Sequence, residues 1–174
     1  MNIVLLGYMG CGKSTVGKVL ANNLEMDYLD LDVFIETKEG MKISEIFEQK
    51  GEIYFRKKEA EHLKSCLEIK KNTILSLGGG TPCFGNNIEY VKTAKNTISI
   101  YLKTSLETLV ERLIPEKTKR PLIAHLDTKD ALDDFVRKHL FERSFYYNQA
   151  QYAIPTDHKT AIQLAEEIQA LLPT

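Results

Sequence analysis

The chain has 174 residues, 43% of them hydrophobic and 27% charged, a size and balance that suit one globular α/β domain with a single core. Its 23 basic and 24 acidic side chains nearly cancel, and the net charge of -1 leaves no global field to gather nucleic acid or an anionic membrane surface. No apolar run reaches the roughly eighteen residues of a membrane span, and the first residues read as a strand rather than a signal peptide, so a cytosolic protein is expected.

The apolar run Ile3-Val4-Leu5-Leu6 reads as a short buried strand, and Gly7-Tyr8-Met9-Gly10-Cys11-Gly12-Lys13-Ser14 follows with the spacing of a phosphate-binding P-loop. Thr15 to Leu24 continues as a helix with Val16, Val19, Leu20 and Leu24 on one face. Free backbone N–H groups and the positive end of the helix dipole favour a polyphosphate there, and glycines let the backbone approach it. Lys13 is placed along the β- and γ-phosphates of a nucleotide, and Ser14 offers its hydroxyl to Mg²⁺. Cys11, at the helix N-terminus, is either a thiol of lowered pKa or the filler of a variable loop position. With Cys66 and Cys83 it makes an odd set without C-x-x-C spacing, so free thiols are expected rather than disulfides or a zinc site.

Tyr28-Leu29-Asp30 reads as the second strand, and its carboxyl end carries Asp30 and Asp32. In an extended segment two carboxylates at this spacing point the same way, one toward a metal and the other toward an acceptor hydroxyl whose proton it takes. The alternative is that Asp32 caps a helix beginning near Val33 while Asp30 is solvated. Helical patterns cover Ile43 to Lys50 and Glu52 to Ile69, with Arg56 near the start of the second and Glu59 placed to hold its guanidinium. Thr73 to Leu77 is the third strand, and Gly78-Gly79-Gly80 beyond it brings backbone N–H groups close to a ligand.

Thr97 to Leu102 is the fourth strand and Ser105 to Ile114 a helix; the polar stretch Pro115 to Pro121, carrying Arg120, has the character of a lid. Lys129 to Ala150 is a long helix with Arg143, Tyr152 to Ile154 the fifth strand, and Ala161 to Leu172 a packing helix. Strands alternating with helices predict a parallel sheet covered on both faces, with ligands at the carboxyl ends of the strands. Taken singly, Arg56, Arg120 and Arg143 are ordinary surface arginines, although each fork suits a carboxylate or phosphate. His62, His125, His139 and His158 lack metal-ligand spacing, and Phe47 and Phe55 are core or pocket wall.

As an ordered series these segments resemble the shikimate kinase family. The series runs through Gly7 to Ser14, Asp30-x-Asp32, Ile46-Phe47-x-x-x-Gly51-Glu52-x-x-Phe55-Arg56-x-x-Glu59, Leu77-Gly78-Gly79-Gly80, Arg120-Pro121-Leu122 and Arg143-x-x-x-Tyr147, and it spans most of the chain. The resemblance implies a three-layer α/β/α sandwich with a five-stranded parallel sheet, of the nucleoside-monophosphate-kinase-like P-loop type. It implies one domain over 1–174, with a helical substrate-binding segment at about 31–60 and a lid at about 114–126. It also implies transfer of the ATP γ-phosphoryl group to the 3-hydroxyl of shikimate, a step toward aromatic amino acids, with Mg²⁺; a monomer is expected because the sequence leaves no unexplained apolar face.

Carried over by position, Asp32, Arg56, Gly78, Gly79, Gly80 and Arg143 would bind shikimate, and Gly10, Cys11, Gly12, Lys13, Ser14 and Thr15 the ATP phosphates. Ser14 would ligate Mg²⁺ directly and Asp30 through water. Arg120 would close from the lid, Arg112 and Pro155 would flank the adenine, and Lys13, Asp32 and Arg120 would carry catalysis, Asp32 as the base. The sequence departs from the family's pattern at Thr81-Pro82-Cys83, where many members carry small aliphatic residues, and in its lysine-rich lid. The nearest alternative is another P-loop small-molecule kinase, acting on gluconate or a nucleoside monophosphate. A monophosphate kinase has no need of a base such as Asp32 and needs more lid arginines.

Overall fold

In the computed structural model, which describes residues 1–69, 72–120 and 122–173, the apolar run after Met1 forms the middle strand of the sheet. Every residue of β1 (Asn2–Leu6) is buried, with Ile3, Val4, Leu5 and Leu6 at 0% exposure. That continuous burial is what a parallel strand covered on both faces requires, and each such side chain stabilises the fold by about 1.5–3 kcal/mol. The other strands are β2 (Asp27–Asp30), β3 (Thr73–Ser76), β4 (Thr97–Lys103) and β5 (Tyr152–Pro155), in the order β2-β3-β1-β4-β5 with all neighbours parallel. The edge strands β2 and β5 are the more exposed ones.

The helices are α1 (Lys13–Leu24), α2 (Leu31–Glu39), α3 (Ile43–Ile69), α4 (Asn87–Thr93), α5 (Leu106–Leu113), α6 (Lys129–Tyr147) and α7 (Ala161–Ala170). Helix α1 packs on α7 and on β1 to β3, while α4 lies against β4 and α3, and α5 against α6. The result is the three-layer α/β/α sandwich expected from the strand–helix alternation. No helix among the described residues is long and apolar enough to cross a membrane.

Register matters for the site. Ser76 at the end of β3 pairs with Leu5 on one side and Asp30 on the other, so the ends of three strands lie in one row. Helix α3 is broken at Gly51, whose φ of 82° and ψ of 169° belong to a region that essentially glycine alone occupies. The break separates the two helical patterns expected at Ile43–Lys50 and Glu52–Ile69 and re-aims the second, which carries Arg56.

Several boundaries differ from the sequence reading. Helix α2 begins at Leu31, directly after β2; its inward residues are only Leu31 and Ile35, and half-buried Phe34 and exposed Val33 blur the apolar stripe. Helix α4, seven residues long, is too short to show a period. The long helix stops at Tyr147 because Asn148 closes it and Gln149 and Ala150 turn back onto Tyr146 and Tyr147. Within the segment of about 114–126 expected to form a lid, Ile114–Lys119 is 3-10 helical, and Lys117 Nζ ties it to Leu126 O at 2.9 Å. Pro121, part of the Arg120-Pro121-Leu122 motif, lies outside the described residues. Phe141 and Phe145, one turn apart on α6, are exposed, a small apolar face that the helical pattern had not set apart.

Candidate active site

The turn after β1 wraps tightly. A Cβ on Gly7 would lie 2.7 Å from Cys11 Sγ and 2.9 Å from Leu102 O, so only a bare backbone passes. Helix α1 starts at Lys13, two residues before the Thr15 expected, with Gly12 as a left-handed N-cap that supplies no capping side chain. The N–H groups of the first turn are therefore left for an anion rather than satisfied internally. Lys13 is buried and its Nζ donates to Gly7 O at 2.7 Å and Tyr8 O at 3.0 Å, holding the ammonium over the loop. Cys11 is buried inside the loop, its sulfur 3.6 Å from Lys13 Nζ.

Asp30 and Asp32 are not both extended. Asp30 is the N-cap of α2, and its Oδ1 accepts from Asp32 N at 3.0 Å and Val33 N at 3.4 Å, whereas Asp32 sits in the first helical turn. This corrects both sequence alternatives, because the cap is Asp30, two residues earlier than the Asp32 considered for it. The turn aims the Asp32 carboxylate at the glycine-rich loop after β3: a Cβ on Gly78 would be 2.8 Å from its Oδ1. Burial pushes the Asp32 carboxyl up to about 6, and the Asp30 and Glu59 carboxylates add to the shift against Lys13 and Arg56. The result is a carboxylate that takes up a proton near neutral pH. The Tyr28 hydroxyl stands between this region and the loop, within reach of Ser14, Ser76 and Asp30.

The glycine triad is in close contact with its surroundings. A Cβ on Gly79 would meet Met9 N at 3.2 Å, and one on Gly80 would meet Arg56 Nη2 at 3.3 Å. Tyr147 donates to Gly79 O at 2.5 Å, anchoring the loop to α6. Arg56 donates through Nη1 to buried Glu59 at 2.9 Å, as its spacing suggested, and its guanidinium stacks 3.6 Å from the centroid of Phe84. Arg143 lies over the Tyr8 ring at 5.6 Å, one helical turn from His139, which bonds the Tyr8 hydroxyl at 3.3 Å. Both guanidinium groups act on the Cys83 thiol, although burial outweighs them and lifts it to about 11.

A cleft of about 540 Å³ brings together Gly10, Cys11, Gly12, Lys13, Ser14, Thr15, Asp30, Asp32, Gly78, Gly79, Arg112 and Arg120. Arg112 Nη1 donates to Gly10 O at 3.3 Å. Arg120 reaches the cleft wall while donating to Glu116 through Nε at 3.0 Å and Nη2 at 2.5 Å. Arg56, Gly80, Arg143 and Pro155 do not line this cleft; the first three gather around Tyr8, Cys83 and Phe84, and Pro155 ends an exposed edge strand. The cleft also takes Glu116, Lys159, Ala161 and Leu164, which sequence reasoning missed. Leu164 belonged to an apolar stripe that reads as packing, and no local signal marks Lys159. Among the described residues no cluster of His, Cys, Asp and Glu forms a metal cage.

A sequence model described as "Shikimate kinase" matches residues 9–173. Proteins named shikimate kinase from Flavobacterium johnsoniae and Flavobacterium psychrophilum are 48% and 47% identical over 170 residues, covering 98% of each chain. Among solved structures, a shikimate kinase from Bacteroides thetaiotaomicron superposes with a TM-score of 0.87 at 34% identity, covering 98% of this chain and 96% of the other. The Acinetobacter baumannii shikimate kinase, solved in complex with shikimate, gives 0.85 at 37% identity over 98% of this chain and 91% of the other.

Proposed function

Since the chain belongs to the shikimate kinase family and phosphorylates shikimate with ATP, we propose a division of labour among its residues and a setting in which they act. The observation that carries it is the convergence of Lys13, the Asp32 carboxylate and Gly78 in one cleft beyond the ends of β1, β2 and β3.

Gly10 to Thr15 hold the ATP phosphates through the free N–H groups of the first turn of α1, and Lys13 follows the charge on the β- and γ-phosphates. Arg112, beside Gly10, flanks the nucleotide, and Pro155, at the end of β5, is assigned to the far side of the adenine. Shikimate rests against Asp32 and the glycine triad Gly78-Gly79-Gly80, its carboxylate held by Arg56 and Arg143, whose forks suit a planar anion. Asp32 accepts the proton of the 3-hydroxyl as that oxygen bonds to the γ-phosphorus and the bond to the ADP oxygen breaks. Arg120 exchanges Glu116 for the transferring phosphoryl group as the lid over about 114–126 closes, excluding water. Alignment and charge neutralisation supply most of the rate.

Mg²⁺ suits the oxygen donors here: the Ser14 hydroxyl and the Asp30 carboxylate lie within reach of one Tyr28 hydroxyl, and the cap bonds that occupy Asp30 favour contact through water. When bound, it neutralises phosphate charge. The chain acts as one domain, 1–174, with the segment of about 31–60 as its substrate arm. We also place it in the cytosol as a monomer without nucleic-acid or membrane partners, a reading supported by three free thiols, a net charge of -1 and a cleft built from one chain. The test is ADP release with ATP and Mg²⁺ in the presence of shikimate, gluconate, AMP or no acceptor. Release that depends on shikimate alone is expected, and release with gluconate or AMP instead would overturn the assignment of Asp32, Arg56 and Arg143.

A further inference from the structure

Glu59, one turn beyond Arg56 on α3, is 1% exposed, and each of its oxygens accepts a separate hydrogen bond. Oε2 takes Arg56 Nη1 at 2.9 Å and Oε1 takes the Thr81 hydroxyl at 2.7 Å. Thr81 is fully buried, opens the 3-10 turn Thr81–Cys83 and follows directly on the glycine triad. Its carbonyl accepts from Asn87 Nδ2 at 2.9 Å, so α4 holds its backbone. Thr81 is therefore held at its hydroxyl by Glu59 and at its carbonyl by Asn87, and the hydroxyl faces the Gly78 Cα side that Asp32 also approaches.

We propose that Thr81 is a positioning residue for Arg56: its hydroxyl fixes the carboxylate of Glu59, which in turn aims the guanidinium across Gly80 toward the substrate. A buried carboxylate that loses one of two donors turns to recover a partner, and the available partner is the same guanidinium. Turning pulls the fork away from Gly80 and toward α3. The other contacts of Arg56 resist this weakly, since the rings of Phe84 and Phe55, 3.6 and 5.1 Å away, permit sliding and Glu52, which accepts from Nε at 3.4 Å, is exposed. The same hydroxyl makes the glycine loop and the arginine one rigid unit, because Tyr147 anchors the loop at Gly79. The inference rests on the assignment of Arg56 to the shikimate carboxylate.

Steady-state kinetics of Thr81→Val, Thr81→Ser, Arg56→Ala and the Arg56→Ala/Thr81→Val pair test it, with thermal melts of each. Thr81→Val, which keeps the shape and removes the donor, is expected to raise the KM for shikimate roughly tenfold, with the KM for ATP within about twofold of wild type. Thr81→Ser is expected to restore both to within about twofold. In the pair, Thr81→Val should add nothing to Arg56→Ala, because the residue through which it acts is gone. If Thr81→Val does not fold, Thr81→Ala, smaller in the same buried site, takes its place in every comparison. Equal effects on both substrates, failure of serine to rescue, or additive effects in the pair would each make Thr81 a merely structural residue and overturn the proposal. An Arg56→Ala variant with an unchanged shikimate KM would overturn the Arg56 assignment itself, a failure distinct from the others.

Discussion

Replacing Asp32 by Asn is expected to make the protein more stable and nearly inactive at the same time. The carboxyl is lifted from its ordinary value of 3.8 to about 6, chiefly by burial, and the neighbouring Asp30 and Glu59 carboxylates raise it further. At about 1.4 kcal/mol for each tenfold change in proton affinity, the ionised side chain costs the folded state about 3 kcal/mol at neutral pH. The sign follows from proton uptake: between 3.8 and about 6 the folded chain holds a proton that the unfolded chain has released, so stability falls as pH rises through that window. Asparagine removes the charge and with it the cost. It also removes a negative charge from the first turn of α2, which returns about 0.3–1 kcal/mol.

A net gain of about 2 kcal/mol remains, which for a chain of this size raises Tm by roughly 4–8 °C near pH 7.5. Melts followed by circular dichroism at constant salt read this directly, and the gain should fall by about half near pH 5, where the wild-type carboxyl is largely protonated in the fold. Turnover should drop by about 10²- to 10⁴-fold, the usual contribution of a positioned base. A variant no more stable than wild type near pH 7.5, or equally stabilised at both pH values, would refute the account of Asp32 as a carboxylate disfavoured by desolvation and by its carboxylate neighbours.

The same group predicts the acid limb of activity: kcat/KM for shikimate should rise with pH around a midpoint near about 6, where Asp32 becomes ionised and able to accept a proton. A profile flat across that region would remove Asp32 from the proton-accepting role. Gly78→Ala would set a methyl 2.8 Å from Asp32 Oδ1 and 3.0 Å from Thr81 Oγ1, so kcat should fall at least roughly tenfold while ATP affinity, measured by calorimetric titration, stays near wild type. Equal loss of ATP affinity would mean that the methyl displaces the phosphate loop instead.

Features written into short stretches of chain were open to sequence reasoning. The P-loop is one, because its geometry depends on Gly7 and Gly12 within a few residues of one another and on a helix that starts where the glycines end. The strand order along the chain is another, since apolar runs and helical periods are local, and so is the Arg56–Glu59 pair, three residues apart on one helix. Local reading failed where a short segment had a weak stripe, as in α2 and α4, or where two caps competed, as at Asp30 and Asp32.

Contacts between distant segments depended on the sheet. The order β2-β3-β1-β4-β5, with Ser76 in register with both Leu5 and Asp30, sets Asp30 beside the P-loop. The packing of α3 on α4 accompanies the meeting of Glu59 and Thr81 across 22 residues, and α6 brings His139 to Tyr8 across 131. Helix α7, docked on α1, contributes Ala161 and Leu164 to the cleft although its apolar stripe reads only as packing. The chain by itself therefore determined the chemistry on offer: a phosphate loop, paired aspartates, a glycine triad and candidate arginines. The tertiary structure alone decided that Arg56 and Arg143 gather beyond the cleft that Arg112 and Arg120 line, because strand register and helix packing, not spacing along the chain, set which side chains share a space.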